Sequence, residues 1–234
     1  IVYDYRGAME KLVRHVVEEH DFKRIEYIGG IPGNPASQER LDVFCKVMEE
    51  NGKTVAPSQL HYGYFWSKPT EKVMDEILAR DAQEIPDAIV CANDAMALVV
   101  CKKLRLAGLG VPEDVVVTGF DGILETSYHT PKLTTAMMDA EVVGARIFSI
   151  LAALFENREV ESTCLLPFTM IFSESSGCFN TQQDITRNTI VQELYTKINE
   201  NHYMTNRMVM MMAELLACST VADVRKRLRA FIPN

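Results

Sequence analysis

The sequence predicts an α/β fold, a parallel sheet with helices on both faces, followed by a long C-terminal helix. Three observations predict it. Short apolar runs (RIEYIG, DAIVC, DVVVT) alternate over residues 7–135 with segments whose apolar residues recur at helical spacing. The runs are nearly continuous in Val, Ile and Ala, as strands buried on both faces are. Beyond residue 180, one apolar stripe steps by threes and fours for about four heptads.

Taken in order, Ala8, Leu12, Val13, Val16 and Val17 share a helical face, and residues 24–29 form a strand stopped by Gly29 and Gly30. Leu41, Phe44, Cys45 and Met48 line a second helix. An extended stretch follows near residues 59–62, and Val73, Met74, Ile77 and Leu78 line a third helix behind Pro69. Residues 87–91 are the next strand. Asn93 or Asp94 can cap the helix carrying Met96, Ala97, Val100 and Leu104, which Gly108 ends, and residues 114–118 are the fourth strand. Such alternation implies a parallel sheet covered on both sides. Residues 119–122 then form a loop at the carboxyl end of a strand, where open α/β sheets place ligands. Residues 133–136 read as a short extended piece and residues 165–172 as a final strand. Between them, Val142, Val143, Ile147, Ile150, Leu151 and Leu154 line an amphipathic helix. Residues 173–180, small and polar, read as a linker.

Composition excludes several classes. With 47% hydrophobic residues and mean hydropathy −0.03, the chain can bury a core that a disordered segment cannot. No apolar run approaches the ~18 residues of a membrane span. Asp and Glu outnumber Lys and Arg by 32 to 24, a net charge of −8, which argues against a surface that neutralises DNA phosphates unaided. The cysteines Cys45, Cys91, Cys101, Cys164, Cys178 and Cys218 are scattered, without a CxxC pair or a nearby histidine cluster. They read as reduced thiols of a cytoplasmic protein with no metal site and no cofactor. No P-loop, GxGxxG or nucleophile elbow occurs, and no histidine is paired with a Ser or Cys nucleophile, so no catalytic residue is expected.

The segment PDAIVCANDAMALVVCKKLRLAGLGVPEDVVVTGFDG, with Pro131 to Thr135 after it, resembles the effector-binding domain of the LacI/GalR family of bacterial regulators. The resemblance extends back through RIEYIGG and Arg40 and forward through Leu166, Pro167 and residues 173–176, covering roughly residues 1–177. It implies a two-lobed periplasmic-binding-protein-like fold of which this chain holds mainly the second lobe, the helix near residues 139–156 belonging to the other. It also implies that the chain alone binds a sugar weakly or not at all.

By the same resemblance, Arg40, Asn93 and Asp121 would hydrogen-bond the hydroxyls of a small sugar or related metabolite, and Phe65 or Trp66 would pack on its apolar ring face. Each residue also has a plainer role open to it. Arg40 can be a solvated helix charge, Asn93 a helix cap, Asp121 a turn residue before Gly122 and Trp66 a rim residue.

Val191, Leu194, Ile198, Asn201, Thr205, Met208, Met212 and Leu215 form the seam, which reads as a helix packed on its own domain or as a parallel dimeric coiled coil with a polar register position at Asn201. Thr220 to Asp223 resembles a capping box before Val224, Leu228 and Phe231. The expected organisation is a ligand-binding domain over residues 1–177, a linker and signalling helix over 178–218, and the start of a further segment over 219–234. The leading expectation is a homodimeric sensor that passes ligand binding through this helix to an output domain, as in LacI-like proteins joined to GGDEF diguanylate cyclases, although no GGDEF motif occurs. The alternatives are a LacI/GalR-type repressor, contacting DNA only through a domain outside this chain, and the solute-binding protein of a transporter.

Overall fold

The computed structural model describes residues 2–178 except 21, 157 and 162, and beyond them Met208, Met211, Met212, Glu214, Leu215, Cys218, Thr220, Asp223 and Val224. The chain divides into two compact units, Ile1–Asn180 and Thr181–Asn234.

In the first unit the elements follow the order β1 (Val2–Tyr3), α1 (Tyr5–Glu18), β2 (Ile25–Gly29), α2 (Pro35–Glu50), β3 (Leu60–Tyr62), α3 (Ser67–Leu78), β4 (Ala88–Cys91), α4 (Asp94–Leu106), β5 (Val116–Thr118), α5 (Glu125–Tyr128), β6 (Thr135–Met137), α6 (Ala140–Phe155), β7 (Leu165–Leu166) and β8 (Thr169–Ile171). The central sheet has the order β3-β2-β4-β5, all parallel, with Ile25 opposite Ala88 and Ala88 opposite Val116. Every residue of β2, β4 and β5 is buried. That explains their largely apolar runs: with both faces covered, no position is left for a solvated side chain, and the one acid among them, Glu26, is buried.

The connections fix where the helices lie. From β2 the chain steps outward to β3, then returns across β2 to β4 and on to β5. Right-handed crossovers put α2 on one face and α3 and α4 on the other. In agreement, α1 packs against α2, and α3 against α4. The point where the stepping direction reverses lies between β2 and β4, and its crevice opens at their carboxyl ends.

Two small sheets flank this core, β1 with β7 in parallel and β6 with β8 antiparallel. Bridges from Thr118 to Thr134 and from Asp121 to Met137 fasten the β6 segment beside the end of β5. Helix α6, capped by Asp139, buries Ala153 and leaves Phe148 and Phe155 75% and 86% exposed. Among the described residues no helix is long and apolar enough to cross a membrane.

Two expectations are corrected. The single strand expected over residues 165–172 is two short strands in different sheets. Pro167 has no N–H to continue a ladder, and Phe168 turns inward to lie 5.3 Å from the Tyr5 ring and 5.0 Å from that of Phe120. The expected linker over 173–180 is packed structure as far as it is described. Glu174–Ser176 forms a 3₁₀ turn with Ser175 and Ser176 fully buried. The Ser175 hydroxyl donates to the Val117 carbonyl at 2.6 Å and accepts from the Thr134 N–H at 2.8 Å, so it joins the end of β5 to the β6 segment. Ser176 Oγ meets Thr134 Oγ1 at 2.6 Å and His15 Nε2 at 3.1 Å.

In the second unit Val191, Leu194, Ile198, Asn201 and Thr205 lie outside the described residues, while Met208, Met212 and Leu215 are helical. Thr220 Oγ1 accepts from the Asp223 N–H at 3.2 Å, which is the first half of the expected capping box. Asp223 Oδ2 accepts from the Thr220 hydroxyl at 2.6 Å rather than from its backbone.

Replacing Ser175 by Ala strands a buried N–H and a buried carbonyl, and is expected to lower unfolding free energy by about 2–3 kcal/mol in urea denaturation. A loss below about 0.5 kcal/mol, the range of ordinary surface substitutions, would show that Ser175 does not brace the sheet end.

Candidate functional site

The crevice at the β2/β4 reversal is occupied by a buried guanidinium. Helix α2 starts at the Asn34 cap, whose Oδ1 accepts from the Ser37 N–H at 3.2 Å, with Pro35 preset for the first turn. Its second turn delivers Arg40, which is 6% exposed. One Arg40 amino group donates to the carbonyl of Ala92, just past β4, and the other reaches Asp121 Oδ1 at 3.5 Å. The guanidinium carbon lies 4.2 Å from the ring centre of Phe120, 5.2 Å from that of Tyr5 and 5.9 Å from that of Phe65. Arg40 Nε is buried with no hydrogen-bond partner among the described residues. A fixed positive charge is thus held among aromatic faces, with one loose carboxylate and unspent donor capacity.

Asp121 stands at the rim. It follows β5 with φ at 113°, a conformation unusual for a side-chain-bearing residue, held by its N–H donating to Ala136 at 3.0 Å. Its side chain is 42% exposed. Partial desolvation raises its carboxyl above the ordinary carboxylate range, and Arg40 opposes that shift. The carboxylate therefore keeps oxygen lone pairs open to the crevice while its charge is only partly matched.

The aromatic wall depends on strain and on a missing side chain. Tyr64 and Phe65 are both left-handed, with φ of 57° and 64°. They bring the Phe65 ring over Gly30 so closely that a Cβ on Gly30 would collide with the ring edge. Phe65 joins the Arg40 cluster. Trp66 does not: it is 69% exposed, and its carbonyl accepts from Thr70 Oγ1 at 2.8 Å in the first turn of α3.

Asn93 is held between two duties. Its Oδ1 caps α4 by accepting from the Met96 N–H at 3.0 Å, and its amide donates to the Phe65 carbonyl at 3.4 Å. The cap and the support of the strained turn engage both ends of the amide.

The pattern alone did not reveal Asp94, which is fully buried under the loop that carries Asp121. Its Oδ2 accepts from the Ile123 N–H at 2.9 Å and its Oδ1 from Thr135 Oγ1 at 2.6 Å. Burial pushes its pKa from the ordinary 3.8 to about 6, against the lowering effect of those hydrogen bonds. The signal that could have found it is Gly119, where any Cβ would collide with the Asp94 carboxylate. Tyr5, stacked against Phe120, was also missed, because it opens a helix far from the other site residues in sequence.

Among the described residues no group of His, Cys, Asp and Glu is placed to hold a metal ion. The arrangement supplies what recognition of a small polar molecule needs: fixed donors, an open acceptor and an apolar wall.

The periplasmic binding protein-like domain matches residues 13–176. The chain belongs to that family. Within it, the resemblance to LacI/GalR effector-binding domains holds. The chain is 31% identical over 151 residues to the HTH-type transcriptional repressor PurR of Pasteurella multocida, a match covering 64% of this chain and 45% of that protein. It superposes on a LacI-family regulatory protein from Chloroflexus aggregans with TM-score 0.68 and 22% identity, over 75% of this chain and 62% of that one. On the transcriptional regulator CelR in complex with cellobiose the TM-score is 0.63 at 26% identity, over 74% of this chain and 52% of that one. The chain spans about half the length of the curated relatives it matches.

Asp94 gives this domain a definite pH response. Its pKa is higher folded than unfolded, so between about 4 and 6 the folded state binds more protons. The contribution of Asp94 to stability is therefore present below pH 4 and is lost as pH rises through 6, by about 3 kcal/mol. Asn at position 94 can accept from Ile123 and donate to Thr135 without a charge. Asp94→Asn is expected to flatten the melting-temperature profile between pH 4 and 6, and an unchanged profile would contradict the assignment.

Proposed function

We propose that this chain is the effector-binding part of a LacI/PurR-type transcriptional regulator, cytoplasmic and homodimeric, contacting DNA only through a domain outside this chain. Its effector is a small sugar or related metabolite bound at Arg40 and Asp121. The observation that carries this reading is the buried Arg40 guanidinium at the β2/β4 reversal, with Nε unpartnered among the described residues and its Asp121 partner 3.5 Å away. A ligand hydroxyl that bridges the two gives the guanidinium a further acceptor and the carboxylate a donor. Phe65 supplies the apolar wall, and Asn93 holds that wall in place through the Phe65 carbonyl.

The reading departs from the sensor with a GGDEF output that the sequence first suggested. The matched relative is named a transcriptional repressor and the structural neighbours are named LacI-family and transcriptional regulators, which favours the repressor form. The name CelR–cellobiose complex supports a saccharide as one ligand class to test, and the name PurR is the reason to test purines beside it. Ligand binding would act by favouring one arrangement of the whole regulator over another, which requires differential affinity for the two.

The test is a thermal-shift screen of the full-length protein with mono- and disaccharides, nucleosides and purine bases, repeated with Asp121→Ala. A specific ligand at 100 times its Kd stabilises the fold by about 2.7 kcal/mol, a shift of several degrees for a domain of this size. The expected result is a ligand whose shift is abolished by Asp121→Ala. A shift that survives the substitution, or no shift with any compound, contradicts the proposal.

A further inference from the structure

The opposite end of the sheet carries a second concave surface. Arg24, Gln59 and Glu84 lie just ahead of β2, β3 and β4, and around these amino ends is an open polar cavity of about 490 Å3 whose lining includes Lys23, Arg24 and Arg80. It lies apart from the Arg40 crevice, which opens at the carboxyl ends of the same strands.

The charges in this cavity are not balanced internally. Glu26, 3% exposed, is already committed, with His61 Nε2 at 2.7 Å and Arg80 Nη1 at 2.5 Å on its two oxygens. Among the described residues the other guanidinium N–H groups of Arg80 have no protein partner. Asp87 Oδ2 accepts the backbone N–H groups of both Lys23 and Arg24 at 2.8 Å, which fixes the turn from which these two cationic side chains spring. Among the described residues neither side chain has an ion pair or hydrogen bond, and the Thr54 and Ser58 hydroxyls beside them have none. The remaining acid of the lining is Glu84. With Arg80 matched to Glu26, two unmatched cations face one unmatched carboxylate.

We propose that this cavity is a second binding site, for a small metabolite bearing a phosphate group. Lys23, Arg24 and the free N–H groups of Arg80 meet the phosphate oxygens, the Thr54 and Ser58 hydroxyls donate to those that remain, and Glu84 accepts a hydroxyl from the body of the metabolite. A phosphate suits the donor set better than a carboxylate does, because donors converge from several elements and a tetrahedral group presents oxygens in as many directions. An extended polyanion such as a nucleic acid is disfavoured by the concave shape and by Glu84 and Glu26 within it.

The test is isothermal titration of the full chain with inorganic phosphate and with glucose 6-phosphate at fixed ionic strength, against matched sodium chloride. The expected result is saturable binding with Kd of about 1 mM or tighter for at least one of the two phosphates. The double variant Lys23→Ala/Arg24→Ala is expected to weaken it at least tenfold while melting within about 2 °C of the parent, since both side chains are exposed and unpaired. Ser58→Asp, which adds a like charge inside the cavity, is expected to weaken it as much. Asp121→Ala is expected to bind as the parent does. The proposal is overturned by an absence of saturable binding, by equal affinity in the two cavity variants, by the same heats from sodium chloride, or by loss in Asp121→Ala, which would move the anion to the Arg40 crevice.

Discussion

A permanently charged guanidinium buried beside the carboxyl ends of β2, β4 and β5 is the constraint around which the first unit is arranged. Taking Arg40 out of water is costly, and its loose pairing with Asp121 offsets that cost only in part. The remainder comes from the Ala92 carbonyl and from the faces of Phe120, Tyr5 and Phe65. Each partner then imposes a local requirement. Phe65 demands two left-handed residues and a bare Gly30 beneath it, and Asp121 demands φ of 113°. The loop around Asp121 needs a brace, which Asp94, Thr135 and the Gly119 gap supply. Backbone strain is concentrated at the crevice, where surrounding hydrogen bonds hold it in place.

The rigidity of this arrangement comes from the other side of the loop. Ser175 and Ser176 fasten β5 to the β6 segment through hydroxyl bonds shorter than 3 Å, and Phe168 adds an aromatic contact to Phe120, which itself covers Arg40. Core, turn and site are thus one packed assembly.

Much of the fold was legible because it depends on local pattern. The largely apolar runs of β2, β4 and β5 read as strands covered on both faces, and Gly30 and Gly108 mark where β2 and α4 stop. Arg40, Asp121 and Phe65 came from family resemblance, since no periodicity distinguishes them from surface residues, and their convergence is a property of the strand order. Trp66 looked equivalent to Phe65 in the string YGYFW, and the turn geometry that points one ring inward and the other outward is not written in residue type. Asp94 was read only as a possible cap because Asn and Asp together at a helix start offer two, and only the loop folded over them decides which is buried. Residues 173–176 read as a linker because the partners of Ser175 lie 58 and 41 residues earlier in the chain.

The central claim is that the Arg40 guanidinium, with Asp121, is the recognition element of this domain. A crystal structure of the full-length protein with a ligand that raises its melting temperature tests it most directly. The account requires ligand oxygen or nitrogen atoms within hydrogen-bonding distance of both Arg40 and Asp121, with the Phe65 ring against an apolar face of the ligand. A bound ligand that leaves Arg40 in contact only with Ala92 and Asp121, and sits elsewhere on the molecule, would contradict it.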